Sequence, residues 1–266
     1  MDSLSAYIAE YSHETIAVSV VDPTADFAFD INGEQEFHAA STMKVPVMME
    51  LYREVAAGAL SLDDSLLVKN EFWSIVDGSL FRIEDDSDDV IYSRLGTMMS
   101  LRDLNHSMIT VSSNLATNLL IDHLGAENVQ AYADALGVKK MKILRGVEDL
   151  KAYELGLSNT TTSNDLALLL LVILESSESD DAYAANMVET LLDQKFNDLI
   201  PSGLPARYSI AHKTGWITGI RHDAAIVYPP DEEPYILVVL TEGFEDQERV
   251  EKAIGDIARL VNESIR

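Results

Sequence analysis

Apolar and polar positions recur with two different periods along the chain, and the periods change in a definite order. Residues 4–11 read as a short helix. Residues 16–21 are β-branched and alternate with small residues, so they predict a strand. Asp22-Pro23-Thr24-Ala25-Asp26 is turn chemistry, and residues 27–31 predict a second strand that completes a hairpin. After the polar turn Asn32-Gly33-Glu34, an apolar helix begins near Ser41, runs toward Leu51-Tyr52 and closes at Gly58. The middle of the chain is helical. Leu101, Leu104 and Met108, then Leu115, Leu119 and Leu120, keep helical spacing across an interruption at residues 110–114. Residues 126–136 predict a helix capped by Gly137, 166–174 a buried helix, and 183–194 another. Residues 69–89 and 145–162 read as largely irregular. The strand pattern then returns at 209–213, 222–228 and 235–241. A last helix spans 247–265, with Val250, Ala253, Ile254, Ile257, Leu260 and Val261 on one face.

Strands at both ends and helices between them predict a two-lobed α/β (α+β) fold. One antiparallel sheet, flanked by the terminal helices, is assembled from residues 1–44 and 206–266, and an all-α lobe of residues 45–205 is inserted into it.

Composition narrows the function classes. Hydrophobic residues make up 47% of the 266, enough for a sizeable core. The longest apolar run, residues 166–174, is about half of the roughly 20 residues that span a bilayer, so no membrane span is expected. Met1-Asp2-Ser3-Leu4 lacks the basic-then-apolar start of a signal peptide, which points to the cytoplasm if the chain is complete. Acidic residues number 45 against 19 basic ones, a formal net charge of -26, which disfavours nucleic acid and anionic membranes as partners. Such an excess also suits a high-salt milieu, where counterions screen self-repulsion. There are no cysteines, so disulfides and thiol chemistry are excluded. The acidic run of residues 84–89 reads as a solvated loop. Its spacing does not match a calcium-binding EF-hand loop, and no metal site is predicted.

Candidate chemistry starts at Ser41-Thr42-Met43-Lys44. A serine hydroxyl attacks a carbonyl well only if a nearby base takes its proton. A lysine one helical turn later is on the same face, and desolvation can make it neutral enough to do so. The helix start adds free N–H groups suited to a developing oxyanion. Ser-x-x-Lys alone occurs in many chains by chance. Here it is followed, in order, by Ser112-Ser113-Asn114 and by Lys213-Thr214-Gly215.

This ordered trio resembles the penicilloyl-serine transferase superfamily of serine β-lactamases and penicillin-binding proteins. The flanks Val111 to Leu120 and Thr160-Thr161-Thr162-Ser163 look like those of the class A β-lactamases, and the resemblance covers nearly the whole chain. It implies a single β-lactamase-like domain with its site where the lobes join, no cofactor and no metal. Ser41 would be the acylated nucleophile, with Lys44 taking or polarising its proton and Ser112 relaying a proton to the leaving nitrogen. Asn114 would hold the substrate's side-chain amide, while Lys213 and Thr214 bind its carboxylate. The main-chain N–H groups of Ser41 and Trp216 would form the oxyanion hole, worth a few kcal/mol each.

The match departs in four places. Class A enzymes activate the deacylating water with a glutamate that follows Arg-Trp. Here Arg145-Gly146-Val147-Glu148-Asp149 offers Glu148, one residue late, as the best candidate and Asp149 as the next. Lys151 falls near the family's water-holding asparagine, and Asn159 replaces an aspartate at the far end of the loop. Ser113 replaces the family's middle aspartate, removing one structural anion. Trp216 replaces a small residue after Lys-Thr-Gly and would crowd the oxyanion side of the pocket, and Arg221, one residue away from the class A position, is the candidate for the distal arginine that binds the substrate carboxylate. His222-Asp223 also invites a catalytic-triad reading. It is set aside because adjacent strand residues face opposite ways.

The expectation is a monomeric serine β-lactamase acting on small molecules, periplasmic or secreted by family analogy. A D-alanyl-D-alanine carboxypeptidase, penicillin-binding protein or small-ester hydrolase with slow deacylation is the alternative on the same site. Serine-dependent glutaminases are a more distant option. A peptidoglycan- or β-lactam-sensing module is the non-enzymatic one.

Overall fold

The two hydrophobic periods produce a sheet and a set of helices in the predicted order. The computed structural model describes residues 1–179 and 181–265. The first part runs α1 (Asp2–Ile8), β1 (Thr15–Asp22), β2 (Phe27–Ile31), β3 (Phe37–His38), a 3-10 turn (Ala40–Met43) and α2 (Lys44–Ala56). Then come β4 (Ser65–Leu67), β5 (Phe72–Trp73), β6 (Leu80–Phe81), α3 (Asp89–Tyr92), β7 (Met98–Ser100), α4 (Leu101–Thr110), α5 (Asn114–Leu124) and α6 (Ala126–Leu136). The remainder is α7 (Leu150–Glu154), β8 (Thr160–Thr161), α8 (Ser163–Glu178), α9 (Ala182–Leu192), a second 3-10 turn (Ile200–Gly203), β9 (Ser209–Ile217), β10 (Ile220–Tyr228), β11 (Tyr235–Glu242) and α10 (Gln247–Ile265). Among the described residues, no helix is long and apolar enough to cross a membrane.

Contacts divide the chain into two compact units. One holds Met1–Thr42, Lys139–Met141 and Thr160–Arg266; the other holds Met43–Val138 and Lys142–Asn159. The first unit contains the five-stranded sheet, in the order β2-β1-β11-β10-β9, with every neighbouring pair antiparallel. Both chain ends build it, as the pattern implied. On one face, Val250, Ala253, Ile254, Ile257, Ala258 and Val261 of α10 pack with Ile16, Val18, Val20, Leu237 and Val239. On the other, α8 packs against β1, β10 and β11. The expected helical lobe extended to residue 205, but residues 160–205 belong with the sheet. Leu166, Ala167, Leu169, Leu170, Ile173 and Leu174 of α8 are all buried, so this helix covers a sheet face that would otherwise be wet.

In the second unit, α2 packs against α4, α5 and α6. The break between α4 and α5 falls where the apolar spacing was interrupted, and Gly137 closes α6 in a left-handed conformation (φ 101°). The stretches read as irregular hold short elements: β5 pairs with β6, and α7 lies inside residues 145–162. β9 runs to Ile217 rather than stopping at residue 213. Its pairing with β10 continues to Ile217↔Ile220, closed by Thr218 and Gly219 (φ 76°).

Candidate active site

The candidate residues fall into two sets, one in each unit. In the sheet unit, Ser41 sits in the Ala40–Met43 turn. Ala40 holds a left-handed φ of 46°, a strained conformation for a residue with a Cβ. Three bonds hold that turn. Ala40 N–H donates to His38 Nδ1 (3.0 Å), and Thr42 donates both its N–H (3.1 Å) and its hydroxyl (2.6 Å) to Ala39 O. The Ser41 main-chain nitrogen lies against Gly215, where a Cβ would come within 3.2 Å of it. Glycine allows that close approach.

Lys213, Thr214 and Trp216 lie within β9, an edge strand of the sheet, rather than at its end. The Lys213 ammonium is buried and donates to Thr214 O at 2.8 Å. Trp216 is 63% exposed and lies across from Arg221 in the ladder. The Arg221 guanidinium stacks 5.1 Å from the Trp216 ring centroid and donates to Glu251 Oε1 at 3.3 Å. Its charge is therefore already partnered within the chain.

His222 and Asp223 face opposite ways. His222 Nδ1 accepts from Thr241 N–H (3.1 Å), so Nε2–H donates to His38 O (2.9 Å). Burial pushes the proton affinity of His222 down to about 4, so the ring is neutral. Asp223 bonds instead to His212 Nδ1 (2.9 Å) and Ile200 N–H (3.1 Å). The pair forms no triad.

In the helical unit, Lys44 opens α2 directly after the Ser41 turn. It is completely buried and donates to Ser112 O (2.7 Å), Asn114 Oδ1 (3.0 Å) and Ser112 Oγ (3.2 Å). Burial lowers its pKa from the usual 10.5 to about 7, against the opposing pull of Asp86 and Glu148. A large fraction of the amine is therefore neutral near pH 7. Ser112 itself holds a left-handed φ of 58° between the two helices.

Glu148 also adopts a left-handed φ, 62°. Its Oε1 accepts from Asn114 Nδ2 at a long 3.4 Å. Partial burial, then Asp85, raise its pKa, while Lys44 and Arg145 oppose them. The residue before it is pinned: Val147 N–H donates to Asn118 Oδ1 (2.7 Å), and Asn118 Nδ2 donates to Val147 O (2.9 Å). Gly146 is obligatory beside this pair, because a Cβ there would fall 2.2 Å from Asn118 Oδ1. Asp149, the second candidate, is buried and committed. It accepts from Ser74 Oγ (3.0 Å), Ile75 N–H (2.9 Å) and Ala152 N–H (3.2 Å), capping α7. Lys151 reaches Asp77 and Ser79, each at 2.7 Å. Asn159 ties the loop ends, accepting from Leu144 and Arg145 N–H (2.8 and 3.2 Å) and donating to Arg145 O (2.9 Å). An aspartate there could not make the last bond.

The acidic run at 84–89 is not simply a solvated loop. Asp86 accepts from the N–H groups of Asn114 (2.9 Å) and Leu115 (2.8 Å), and Asp88 caps α3. Asp86 and Asn118 thus join the site without having been singled out. The only hint was the missing aspartate at Ser113. Among the described residues, no group of three or more His, Asp or Glu side chains is placed to hold a metal ion.

A sheet built from both chain ends, a serine in the turn before a buried lysine, and a Lys-Thr-Gly edge strand define a serine acyl-transfer enzyme of mixed α/β fold. A family model described as the beta-lactamase enzyme family matches residues 1–265, and the chain belongs to that family. A beta-lactamase of Proteus vulgaris is 26% identical over 262 residues, covering 94% of this chain and 89% of its own. The solved beta-lactamase of Sphaerobacter thermophilus superposes with a TM-score of 0.83 at 27% identity, over 99% of this chain and 97% of the other. An ancestral class A beta-lactamase (GNCA) gives 0.84 at 25% identity, over 98% and 99%. The protein is accordingly a hydrolase of the class A serine beta-lactamase type.

Proposed function

We propose that Ser41 is the nucleophile and Lys44 the base of a β-lactam hydrolysis that passes through an acyl-serine. The observation that carries this assignment is the burial of Lys44, complete and beside Ser112 and Asn114, which brings its pKa down to about 7. Such an amine can accept a proton from a hydroxyl at neutral pH. Lys44 opens α2 directly after the Ala40–Met43 turn that carries Ser41, three positions earlier in the chain.

In this reading Ser41 Oγ attacks the lactam carbonyl carbon while Lys44 takes the proton. The carbonyl oxygen gathers charge against the N–H groups of Ser41 and Trp216. The C–N bond then breaks, and Ser112 passes a proton to the leaving nitrogen. Lys213 and Thr214 bind the substrate carboxylate, and Asn114 holds its side-chain amide. Arg221 is engaged by Glu251 and Trp216 and serves to hold the indole rather than the substrate. Glu148 activates the water that cleaves the ester. The substrate is a small molecule, and the protein acts as a monomer.

A second reading keeps the acylation and slows the hydrolysis, as in a penicillin-binding D-alanyl-D-alanine peptidase. The position of Lys151 favours it: its ammonium is drawn to Asp77 and Ser79, which leaves the family's water-holding position without an amide.

Intact-mass spectrometry after mixing with penicillin tests the assignment. A penicilloyl adduct forms on the wild type and is absent from Ser41→Ala; an adduct on the variant removes Ser41 from the role. With a chromogenic cephalosporin, steady turnover supports the first reading, and a burst that stalls supports the second.

A further inference from the structure

The loop Asp86-Ser87-Asp88 meets the stretch around Ser112 at every one of its residues. Ser87 Oγ donates to Val111 O, and Asp88 accepts from Ser107 Oγ. The Asp86 carboxylate takes Asn114 N–H on one oxygen (2.9 Å). Its other oxygen takes Leu115 N–H (2.8 Å), Ser113 Oγ (3.2 Å) and Tyr92 OH (3.3 Å). Those N–H groups open α5 and have no partner within the helix. Ser112 sits two residues before Asn114 in a left-handed conformation that persists only when its surroundings over-determine it. On its far side, the same short stretch presents Ser112 O, Ser112 Oγ and Asn114 Oδ1 to the Lys44 ammonium.

We propose that Asp86 is a positioning residue for acylation: it supplies, from the acidic loop, the anion that this chain lacks at Ser113, and so fixes the acceptors that hold Lys44. The proposal rests on the reading of Lys44 as the base. Asp86 and Glu148 are the two charges that act on Lys44, and both favour its protonated form. Glu148 reaches the same stretch only through Asn114 Nδ2, at 3.4 Å. The geometric clamp is therefore the work of Asp86, and the acidic loop is part of the acylation machinery.

The test is the acylation rate with penicillin across pH, read by rapid quench and intact mass. It compares wild type, Asp86→Asn, Ser113→Asp and the double variant. Asp86→Asn lowers the plateau rate about tenfold or more, because the acceptors lose their placement. It also moves the acid limb of the profile to lower pH by about half a unit, because a positive Lys44 loses an attracting charge. Ser113→Asp alone also slows acylation, by setting two carboxylates side by side. The double variant returns to within a few-fold of wild type, because one anion again serves the helix start, and this non-additivity is the signature of the proposal. A lowered melting temperature with plateau and limb unmoved would reduce Asp86 to a helix cap and overturn it. So would a double variant no faster than Asp86→Asn. If Asp86→Asn fails to fold, the comparison of Ser113→Asp with the double variant still decides. Acylation of Lys44→Met at the wild-type rate would instead defeat the reading of Lys44 as the base, a failure distinct from that of the Asp86 comparison.

Discussion

Lys44 and Glu148 handle protons in the proposed cycle, and their surroundings are opposites. Lys44 is sealed from water, opens a long helix and has three acceptors around it. Glu148 is only partly covered and open to solvent, lies in a loop, adopts a strained backbone conformation and accepts one long hydrogen bond. Burial is the largest influence on both, lowering the lysine and raising the carboxylate toward their neutral forms. Each also counteracts the other's shift. The acylating amine is therefore tuned by packing, which solvent and salt barely reach. The carboxylate proposed for deacylation is tuned by partial burial and by the charges of Asp85, Lys44 and Arg145 around it. On the proposed assignment, acylation is the more robust half of the cycle and hydrolysis of the ester the half most open to change.

The largest break in that comparison is Lys44→Met. Removing the amine should slow acylation by about a thousandfold or more, measured by stopped flow with a chromogenic cephalosporin. The sign of the pH dependence goes with it. Below about pH 7 the amine is protonated and cannot act as base, so wild-type acylation should fall as pH drops through about 7. A flat profile to pH 5 would move the base elsewhere. Glu148→Gln should lengthen the life of the penicilloyl adduct by about a hundredfold while leaving acylation within a few-fold. An unchanged decay removes Glu148 from the role.

Glu148→Gly sharpens the contrast, since glycine takes the left-handed conformation freely. It should raise stability by about 1 kcal/mol in urea denaturation while deacylation is lost. Acid should expose another buried group. His222 binds a proton near 6.5 when unfolded and only near 4 when folded, so its contribution is complete above 6.5 and lost as pH falls toward 4. Unfolding at fixed urea should show a loss of about 3 kcal/mol across that window, reduced in His222→Gln. The smallest effect is Arg221→Ala. With its guanidinium given to Glu251 and Trp216, kcat/KM for a carboxylate-bearing substrate should change only a few-fold.

Much of the scaffold was legible before any coordinates. The hairpin at residues 15–31, the closing strands and the amphipathic α10 each declare themselves through local periodicity. The break at residues 110–114 was visible for the same reason. The fate of residues 160–205 was not, because an all-apolar helix such as α8 says that it is buried but not against what. Short paired elements such as β5 and β6 are too brief to leave a period.

The candidate site divides in the same way. Ser41, Lys44, Ser112, Asn114 and Lys213 could be named from spacing and order, because each motif is contiguous. Asp86 and Asn118 could not, since their roles are long-range. Asp86 bonds residues more than 25 positions away, and Asn118 reaches Val147, 29 positions on. Asp149 looked like a spare carboxylate until its three donors were seen, two of them from Ser74 and Ile75.

By itself, the amino-acid order determined which segments are helix or strand, and that a serine lies three positions before a lysine where an apolar helix begins. These properties depend on neighbours a few residues apart. Tertiary structure alone decided that Lys44 is dry enough to lose its proton near neutrality, that Arg221 is already paired, and that an acidic loop clamps the Ser112 turn. Desolvation and the pairing of charges come from groups far apart in the chain, and only folding brings them together.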